Sequence, residues 1–290
     1  MALAAGLMAH DPSRAPHGMP VEALIYERYG VPLTARFTAP LLALAPPARG
    51  WRILDVACGT GLIARAAAPQ VGPSGLAVGV DRSPAMIAVA RRRAAEEGLT
   101  PCCFAVMDAQ ALALADAAFD SAYCQFGLML VADPARAAAE LARVVRPGGA
   151  VAAVVWSEPE RVIGFAAYIA AVHAHVPGAR PPEHHPVFRL GAPGALAALL
   201  AAAGLAVDHE ERLAVVDRYP DAEAYWTWAS QVVGFPVAAD SGWAARLITD
   251  YPTEVQERVR AAALARVAAY QQPDGSLALP SEAILVRACR

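Results

Sequence analysis

The sequence predicts an α/β protein built on a doubly wound, mostly parallel sheet, and three observations carry that expectation. Short, nearly continuous apolar runs alternate with helical stretches from about residue 50 to residue 156. Strands apolar on both faces belong to parallel sheets with helices packed on each side. Each of the first three runs delivers an aspartate near its carboxyl end, Asp55, Asp81 and Asp108, and a glycine pair, Gly59 and Gly61, follows the first. In open α/β sheets ligands bind outside the carboxyl ends of the strands, so fold and site are read from the same residues.

Residues 1–20, rich in Pro, Gly and His, read as a loose terminus, and 21–48 as a helical cap interrupted at Gly30 and Pro32. The core spans 49–156. Its first strand is "WRILDVA" (51–57), followed by a helix from about Leu62 to Ala68. The second strand is "LAVGV" (76–80); Ser83 as N-cap and Pro84 at the first position then open a helix that Gly98 closes. "CCFAVM" (102–107) and "FDSAYCQF" (119–126) are the third and fourth strands. Asp133-Pro134 opens a helix running to Pro147-Gly148-Gly149, and "AVAAVVW" (150–156) is the fifth strand.

Residues 157–190 read as a lid insertion holding four of the seven histidines and a Pro-rich turn. Residues 191–218 supply a core helix (about 194–203) and strand (205–216), and 219–272 a helical lid. Seven of the 20 aromatic residues fall between Tyr219 and Tyr251, which marks that lid as aromatic-rich. Residues 273–290 carry the last core strand around "AILVRA" (283–288). The inserted segments are the ones able to close over a site.

Composition excludes several classes. At 290 residues, 57% hydrophobic and 18% charged, the chain folds rather than staying disordered. Net charge is −3 and the densest basic run, Arg91-Arg92-Arg93, sits on the polar face of a predicted helix. Without a basic stripe, nucleic acid is not expected as a partner. Five cysteines form no C-x-x-C pair and no Cys/His zinc spacing, so no metal is expected and a reducing, cytoplasmic setting is. The first ten residues lack a basic n-region, and the longest uncharged run, Leu190–Val207, is broken by Gly191, Pro193, Gly194 and Gly204. Neither a signal peptide nor a membrane span is expected. The expected partner is a small molecule, with a homodimer as the assembly to test.

The chemistry follows from the strand ends. Gly59 and Gly61 let the backbone turn tightly and a ligand come close, and the helix after Gly61 aims its N–H groups into the same space. Asp81 is placed to accept from both hydroxyls of a ribose. These features suit any adenosine cofactor, and Gly59-Thr-Gly61-Leu-Ile-Ala64 also matches the dinucleotide fingerprint G-x-G-x-x-G/A. Asp55 separates the two: beside a pyrophosphate it would be repelled, whereas it suits an ammonium group. Asp108, followed by Ala109-Gln110, can receive an exocyclic amine. A ribose acid, an adenine acid and an ammonium acid together describe S-adenosylmethionine (SAM).

"LDVACGTG", "VGVDRSPAMIAVAR", "MDAQALALADAAFDSAYCQFGLML" and "ELARVVRPGGAVAAVVW" resemble, in this order and spacing, the motifs of the class I SAM-dependent methyltransferases. The similarity is to the bacterial small-molecule branch related to the ubiquinone/menaquinone C-methyltransferases. It is strong over about residues 50–156 and weaker through "YERYGVPLTARFTAPLLALA" before and the final strand after. The resemblance implies a Rossmann-like, seven-stranded sheet with an antiparallel last strand. It also implies SAM bound by Asp55, Ala57, Cys58, Gly59, Gly61, Asp81, Arg82, Met86, Asp108, Ala109, Gln110 and Gln125, with S-adenosyl-L-homocysteine as product. Ala57 stands where many members have glycine. "CQFG" replaces the Asn/Asp-Pro-Pro-Tyr/Phe segment of the amino-group methyltransferases acting on adenine or glutamine.

In this family the helix ahead of the first strand lies over the SAM pocket, so Tyr26 and Tyr29 are candidates to cap it. With His173, His175 and His184 they are also the candidates for a catalytic base. His173 and His175 lie two apart on a helix and face different directions, which makes them poor metal partners. Phe126, Met129, Tyr225, Trp226, Trp228 and Trp243, with Phe235, are candidates to line an apolar acceptor pocket; the competing reading makes the lid aromatics the lid's own core. The expected reaction moves the SAM methyl group to an O, N or C atom of a small apolar or aromatic metabolite. Three readings compete with it. A SAM-binding cyclase or pericyclase shares the fold, and an NAD(P)-dependent reductase leaves Asp55 and Asp108 unexplained and lacks a Tyr-x-x-x-Lys pair. A non-enzymatic SAM-binding regulator has no specific feature in its support.

Overall fold

The computed structural model describes residues 21–232 and 248–290. The 1–20 terminus and the candidate residues Phe235 and Trp243 lie outside the described residues. Seven strands form one sheet in the order β3-β2-β1-β4-β5-β7-β6. They are β1 (Arg52–Val56), β2 (Leu76–Asp81), β3 (Cys102–Val106), β4 (Phe119–Gln125), β5 (Val145–Trp156), β6 (Ala206–Tyr219) and β7 (Leu277–Cys289). β1 pairs in parallel with both β2 and β4, and β7 runs antiparallel between β5 and β6. The strand order reverses between β1 and β4, and at that switch point the diverging loops leave a crevice at the carboxyl ends. The expected seven-stranded sheet with an antiparallel last strand is the one found.

The helices follow from local chemistry. α4 (Leu62–Val71) starts at Gly61, whose left-handed φ of +84° turns the chain from strand to helix. α5 (Pro84–Glu96) is capped by the Ser83 hydroxyl accepting from the Met86 N–H, and α6 (Pro134–Val144) by the Asp133 carboxylate accepting from the Arg136 N–H. Both caps are the ones the sequence predicts. α7 (Ile163–His175), α8 (Ala195–Ala202), α9 (Ala222–Val232) and α10 (Thr253–Val267) complete the set, with α7 packed on α9 and α10. The buried core is continuous from β1 and β4 into α7 and α9. Among the described residues no helix is long and apolar enough to cross a membrane.

Two expectations about element ends are corrected. The N-terminal cap does not break at Gly30 and Pro32. It runs as α1 (Val21–Ile25), a π-helical turn (Tyr26–Gly30), α2 (Val31–Thr34), a 3-10 turn and α3 (Thr38–Leu44). Pro32 falls in the first turn of α2, straight after the wide π turn that Val31 N–H closes on Tyr26 O. Gly30 tolerates the Tyr26 ring at a place where a Cβ would meet it at 2.6 Å. α6 stops at Val144 rather than at Pro147-Gly148-Gly149, because Val145 is already extended (φ −81°, ψ 137°) and β5 begins there. The carboxyl terminus holds that early stretch through Gly148 N–H to Arg290 O (2.9 Å) and Arg290 N–H to Gly149 O (3.0 Å).

Candidate functional site

The site begins at the turn from β1 into α4. Cys58 donates its N–H to Val80 O (2.9 Å) and Gly59 donates to the Asp81 carboxylate (2.9 Å), so the turn is stitched to the end of β2. The other Asp81 oxygen accepts from the Ser83 N–H (2.9 Å). Burial pushes the Asp81 carboxyl above its ordinary value against these two backbone bonds. Gly59 (φ +53°), Gly61 (φ +84°) and Ala57 (φ +55°) all adopt the left-handed region. A Cβ on Gly61 would stand 2.6 Å from Phe104 Cε1, and one on Gly79 2.5 Å from Phe104 Cδ1, so the Phe104 ring seals the underside of the turn.

Asp55 is 1% exposed and accepts from the Ala64 N–H (3.0 Å) at the start of α4. Burial raises its pKa from 3.8 to about 7, with Asp81 nearby adding to the rise and the helix N–H groups opposing it. Tyr26, on the π turn, lies across the same turn: a Cβ on Gly59 would meet its Cε1 at 3.2 Å. Burial pushes the Tyr26 hydroxyl to about 12; it shares a hydrogen bond with Thr34 and feels the charges of Asp81 and Asp55. The structure thus gathers Asp55, Asp81, Gly59, Gly61, Cys58 and Tyr26 at the switch point.

The other predicted residues are placed as follows. Asp108 stands exposed after β3, its carboxylate accepting from the backbone N–H (2.9 Å) and side-chain amide (3.0 Å) of Gln110. Those bonds hold its carboxyl below the ordinary range, and Arg82 contributes from the β2 side. Gln110 in turn accepts from the Asp133 N–H (2.7 Å), and Ala109 is buried. Met86 packs with Ala23, Ala85 and Val89 where α1 crosses α5. Gln125 faces the N-terminal run: its oxygen accepts from the Thr38 hydroxyl (3.1 Å) and its amide donates to Thr34 O (3.3 Å).

Beyond Gln125 the site turns apolar. Phe126 takes a left-handed φ of +57° and stacks on Trp156 at 4.2 Å between centroids. Phe37 stands edge-on to both, at 5.3 and 5.4 Å. The chain of rings continues through Phe165 (5.5 Å from Trp156) to Trp228 (5.1 Å from Phe165), then Tyr219 and Tyr225. Met129 is buried at 2%, and Trp226 packs on Tyr168 at 6.0 Å. The Tyr225 hydroxyl donates to Gly164 O (2.9 Å) and the Trp228 indole N–H to Tyr29 O (3.1 Å), so these rings pin α9 to α7 and to the N-terminal run. Phe37, Trp156 and Phe165 were not singled out by sequence. The signal available for Phe37 is a helical stripe, Leu33-Phe37-Leu41, all buried.

The histidines stand apart. His173, exposed, has its Nδ1 2.7 Å from Ala179 O, and His175 ends α7. His184 lines a surface cavity with Arg180, Glu183 and Arg189. Among the described residues no hydrogen bond or ion pair joins them to the glycine turn, and no group of three or more His, Cys, Asp or Glu side chains gathers where a metal ion could sit.

Residues 53–149, the stretch that builds this turn and its sheet, match the family model described as a methyltransferase domain. The chain is 33% identical over 218 residues to the nocamycin O-methyltransferase of Saccharothrix syringae, covering 71% of this chain and 78% of that one. It is 35% identical over 195 residues to the demethylmenaquinone methyltransferase of Thermus thermophilus, covering 63% of this chain and 86% of that one. Among solved structures it superposes on the [4+2]-cyclase SpnF with a TM-score of 0.54 at 24% identity, over 88% of this chain and 80% of that one. The chain belongs to the class I SAM-dependent methyltransferases, in the bacterial small-molecule branch. It is an enzyme, and its cofactor is SAM.

Proposed function

We propose that the protein methylates an O, N or C atom of a small apolar or aromatic metabolite, of the natural-product or quinone-like kind. One observation supports this most: the glycine turn is locked to Asp81 beside a buried Asp55, and directly after Gln125 the chain enters a cluster of buried rings led by Phe126 and Trp156. The residues fit the cofactor. The turn leaves no room for a side chain at Gly61 and only a tight contact with Tyr26 at Gly59, and Asp81 keeps lone pairs beyond its two backbone bonds. Asp81 would take the ribose hydroxyls, Asp55 the ammonium directly or through water, and Asp108 with Ala109 and Gln110 the adenine edge. Bound there, SAM supplies a methyl group already activated by its sulfonium leaving group.

The chain's own task is alignment and exclusion of water. The N-terminal run serves both: Tyr26 covers the turn, and Thr34 and Thr38 hold the Gln125 amide in one orientation. Burial pushes the Tyr26 pKa to about 12, so it stays protonated at neutral pH. The aromatic cluster is packed on itself, as the reading of these rings as a core of their own expects, and its acceptor role would fall to whichever ring edges border the crevice.

The test is calorimetric titration with SAM, S-adenosylhomocysteine and NADH, followed by incubation with labelled-methyl SAM and a panel of hydroxylated aromatic acceptors. S-adenosylhomocysteine should appear in step with methylated product, and Asp81→Ala should weaken SAM binding by about 100-fold, the loss of charge-assisted hydrogen bonds. Acceptor conversion without S-adenosylhomocysteine would replace methyl transfer by the cyclase reading, and full-strength SAM binding by the Asp81 variant would remove its assigned role.

A further inference from the structure

A second recess lies in the insertion between β5 and α8. It is a cavity of about 540 Å³ lined by Arg180, Glu183, His184 and Arg189. The insertion is rooted at the same sheet end as the glycine turn. Ser157 follows Trp156, and Gly191, where the insertion returns, lies so close that a Cβ there would meet Ser157 O at 2.6 Å. Between His184 and Arg189 the residues His185, Pro186, Val187 and Phe188 are buried.

Arg189 links the cavity to the acceptor side. One terminal nitrogen of its guanidinium donates to Leu128 O and Val131 O, carbonyls of the segment that carries Phe126 and Met129. A guanidinium has five N–H donors, so this anchorage through one nitrogen leaves donors on the other two. Asp133 faces Arg189 from the start of α6 and burial lowers the Arg189 pKa, yet the group stays charged at any ordinary pH. Arg180 takes part in no ion pair among the described residues, and its charge reaches the buried His185. Against these two cations the cavity lining holds a single acid, Glu183. In a chain of net charge −3, two arginines line this one recess, and the planar fork of a guanidinium matches the two oxygens of a carboxylate.

We propose that this cavity is an anion subsite that receives a carboxylate borne by the acceptor, with Arg180 as its principal ligand and Arg189 as the anchored second one. The proposal rests on the reading above, since it gives that acceptor an acidic group at the end away from the cofactor turn. It assigns the insertion a role in substrate selection, while the aromatic wall serves the flat part of the same molecule.

The test uses the full chain saturated with S-adenosylhomocysteine and two ortho-hydroxylated aromatic probes, salicylate and its uncharged relative 2-hydroxybenzyl alcohol, titrated by calorimetry. Salicylate should bind about tenfold tighter than the alcohol, the worth of one charge-assisted pair. Arg180→Ala should bring salicylate to the level of the alcohol, Arg180→Glu should push it lower, and Arg180→Lys should keep part of the preference. Affinity for S-adenosylhomocysteine should be the same in all four proteins, which shows that each is folded. Salicylate binding no better than the alcohol, undetectable salicylate binding, or unchanged salicylate binding in Arg180→Ala and Arg180→Glu would overturn the proposal. Failure of the unaltered protein to bind S-adenosylhomocysteine is a separate result, and it would undo the methyl-transfer reading instead.

Discussion

The proposed cofactor half and the proposed acceptor half of this site are held by different physics. Around the glycine turn nearly every constraint is a backbone one: three left-handed residues, N–H groups of Cys58, Gly59, Ser83 and Ala64 each given a partner, and a ring packed under Gly61. On the acceptor side the constraints are side chains touching side chains, a run of aromatic rings from Phe37 to Tyr225 with a polar tip tied down here and there. A backbone-built site tolerates little change because its geometry is the chain itself. A side-chain-built wall can be recut for another acceptor while the fold stays the same, and relatives acting on different small molecules are what such a division allows.

Gly61→Ala tests the first half most severely. The new Cβ would meet Phe104 at 2.6 Å in a backbone with φ +84°, adding left-handed strain to a clash with a packed ring. The expected loss is about 2–4 kcal/mol of stability, read from denaturant unfolding, with S-adenosylhomocysteine affinity falling as well. Unchanged stability would mean that the turn relaxes and that the backbone is not the rigid half.

Asp55→Asn sharpens the comparison through pH. With its pKa at about 7 in the fold against an ordinary 3.8, Asp55 is protonated in the folded chain where the unfolded chain has lost that proton. The folded state therefore holds more protons between about pH 4 and pH 7, and stability falls as pH rises through that window. Asparagine, whose oxygen can still accept the Ala64 N–H, removes that fall. A bound ammonium favours the ionised carboxylate, so SAM should bind about tenfold tighter at pH 8 than at pH 6 in the unaltered protein. In Asp55→Asn this pH dependence should vanish, with affinity near the low-pH level. A pH-independent affinity in the unaltered protein would leave Asp55 as a helix cap alone.

The same division decides what the sequence could reveal. The acids at 55, 81 and 108, the glycine pair and the caps at Ser83 and Asp133 were legible because backbone needs select residue types at fixed spacings. The destination of the Gln125 amide was not, because its partners Thr34 and Thr38 lie about ninety residues away in sequence. Nor was the continuity of the N-terminal run. Gly30 and Pro32 look like a break, and only the Tyr26 ring against Gly30 and the π turn before Pro32 explain why the helix carries on. Trp156 was legible as a strand end but not as the stacking partner of Phe126, since stacking depends on where two strands leave the sheet.

Tyr225→Phe is the matching test of the acceptor half. The variant keeps the buried ring and deletes only the hydroxyl that donates to Gly164 O (2.9 Å). The expected cost is about 1 kcal/mol of stability, with S-adenosylhomocysteine affinity unchanged. A fall in cofactor affinity would couple the two halves through α7 and the N-terminal run, and the division drawn above would have to be abandoned.

The smallest effect returns to Ala57. Its φ of +55° puts an alanine in the left-handed region, which costs a non-glycine residue roughly 1–2 kcal/mol. Glycine would relieve that strain but cost roughly 0.5–1 kcal/mol in unfolded-chain entropy. Ala57→Gly should therefore gain about 0.5 kcal/mol or break even, with cofactor affinity kept. The alanine methyl has a second consequence, because a Cβ on Gly127 would meet it at 2.5 Å. Gly127→Ala alone should destabilise the turn by about 1–3 kcal/mol, and the double variant Ala57→Gly/Gly127→Ala should recover part of that loss. Additive effects of the two changes would show that the methyl at position 57 is not what keeps position 127 a glycine, leaving the Cys124 sulfur, 2.8 Å from the same point, as the barrier.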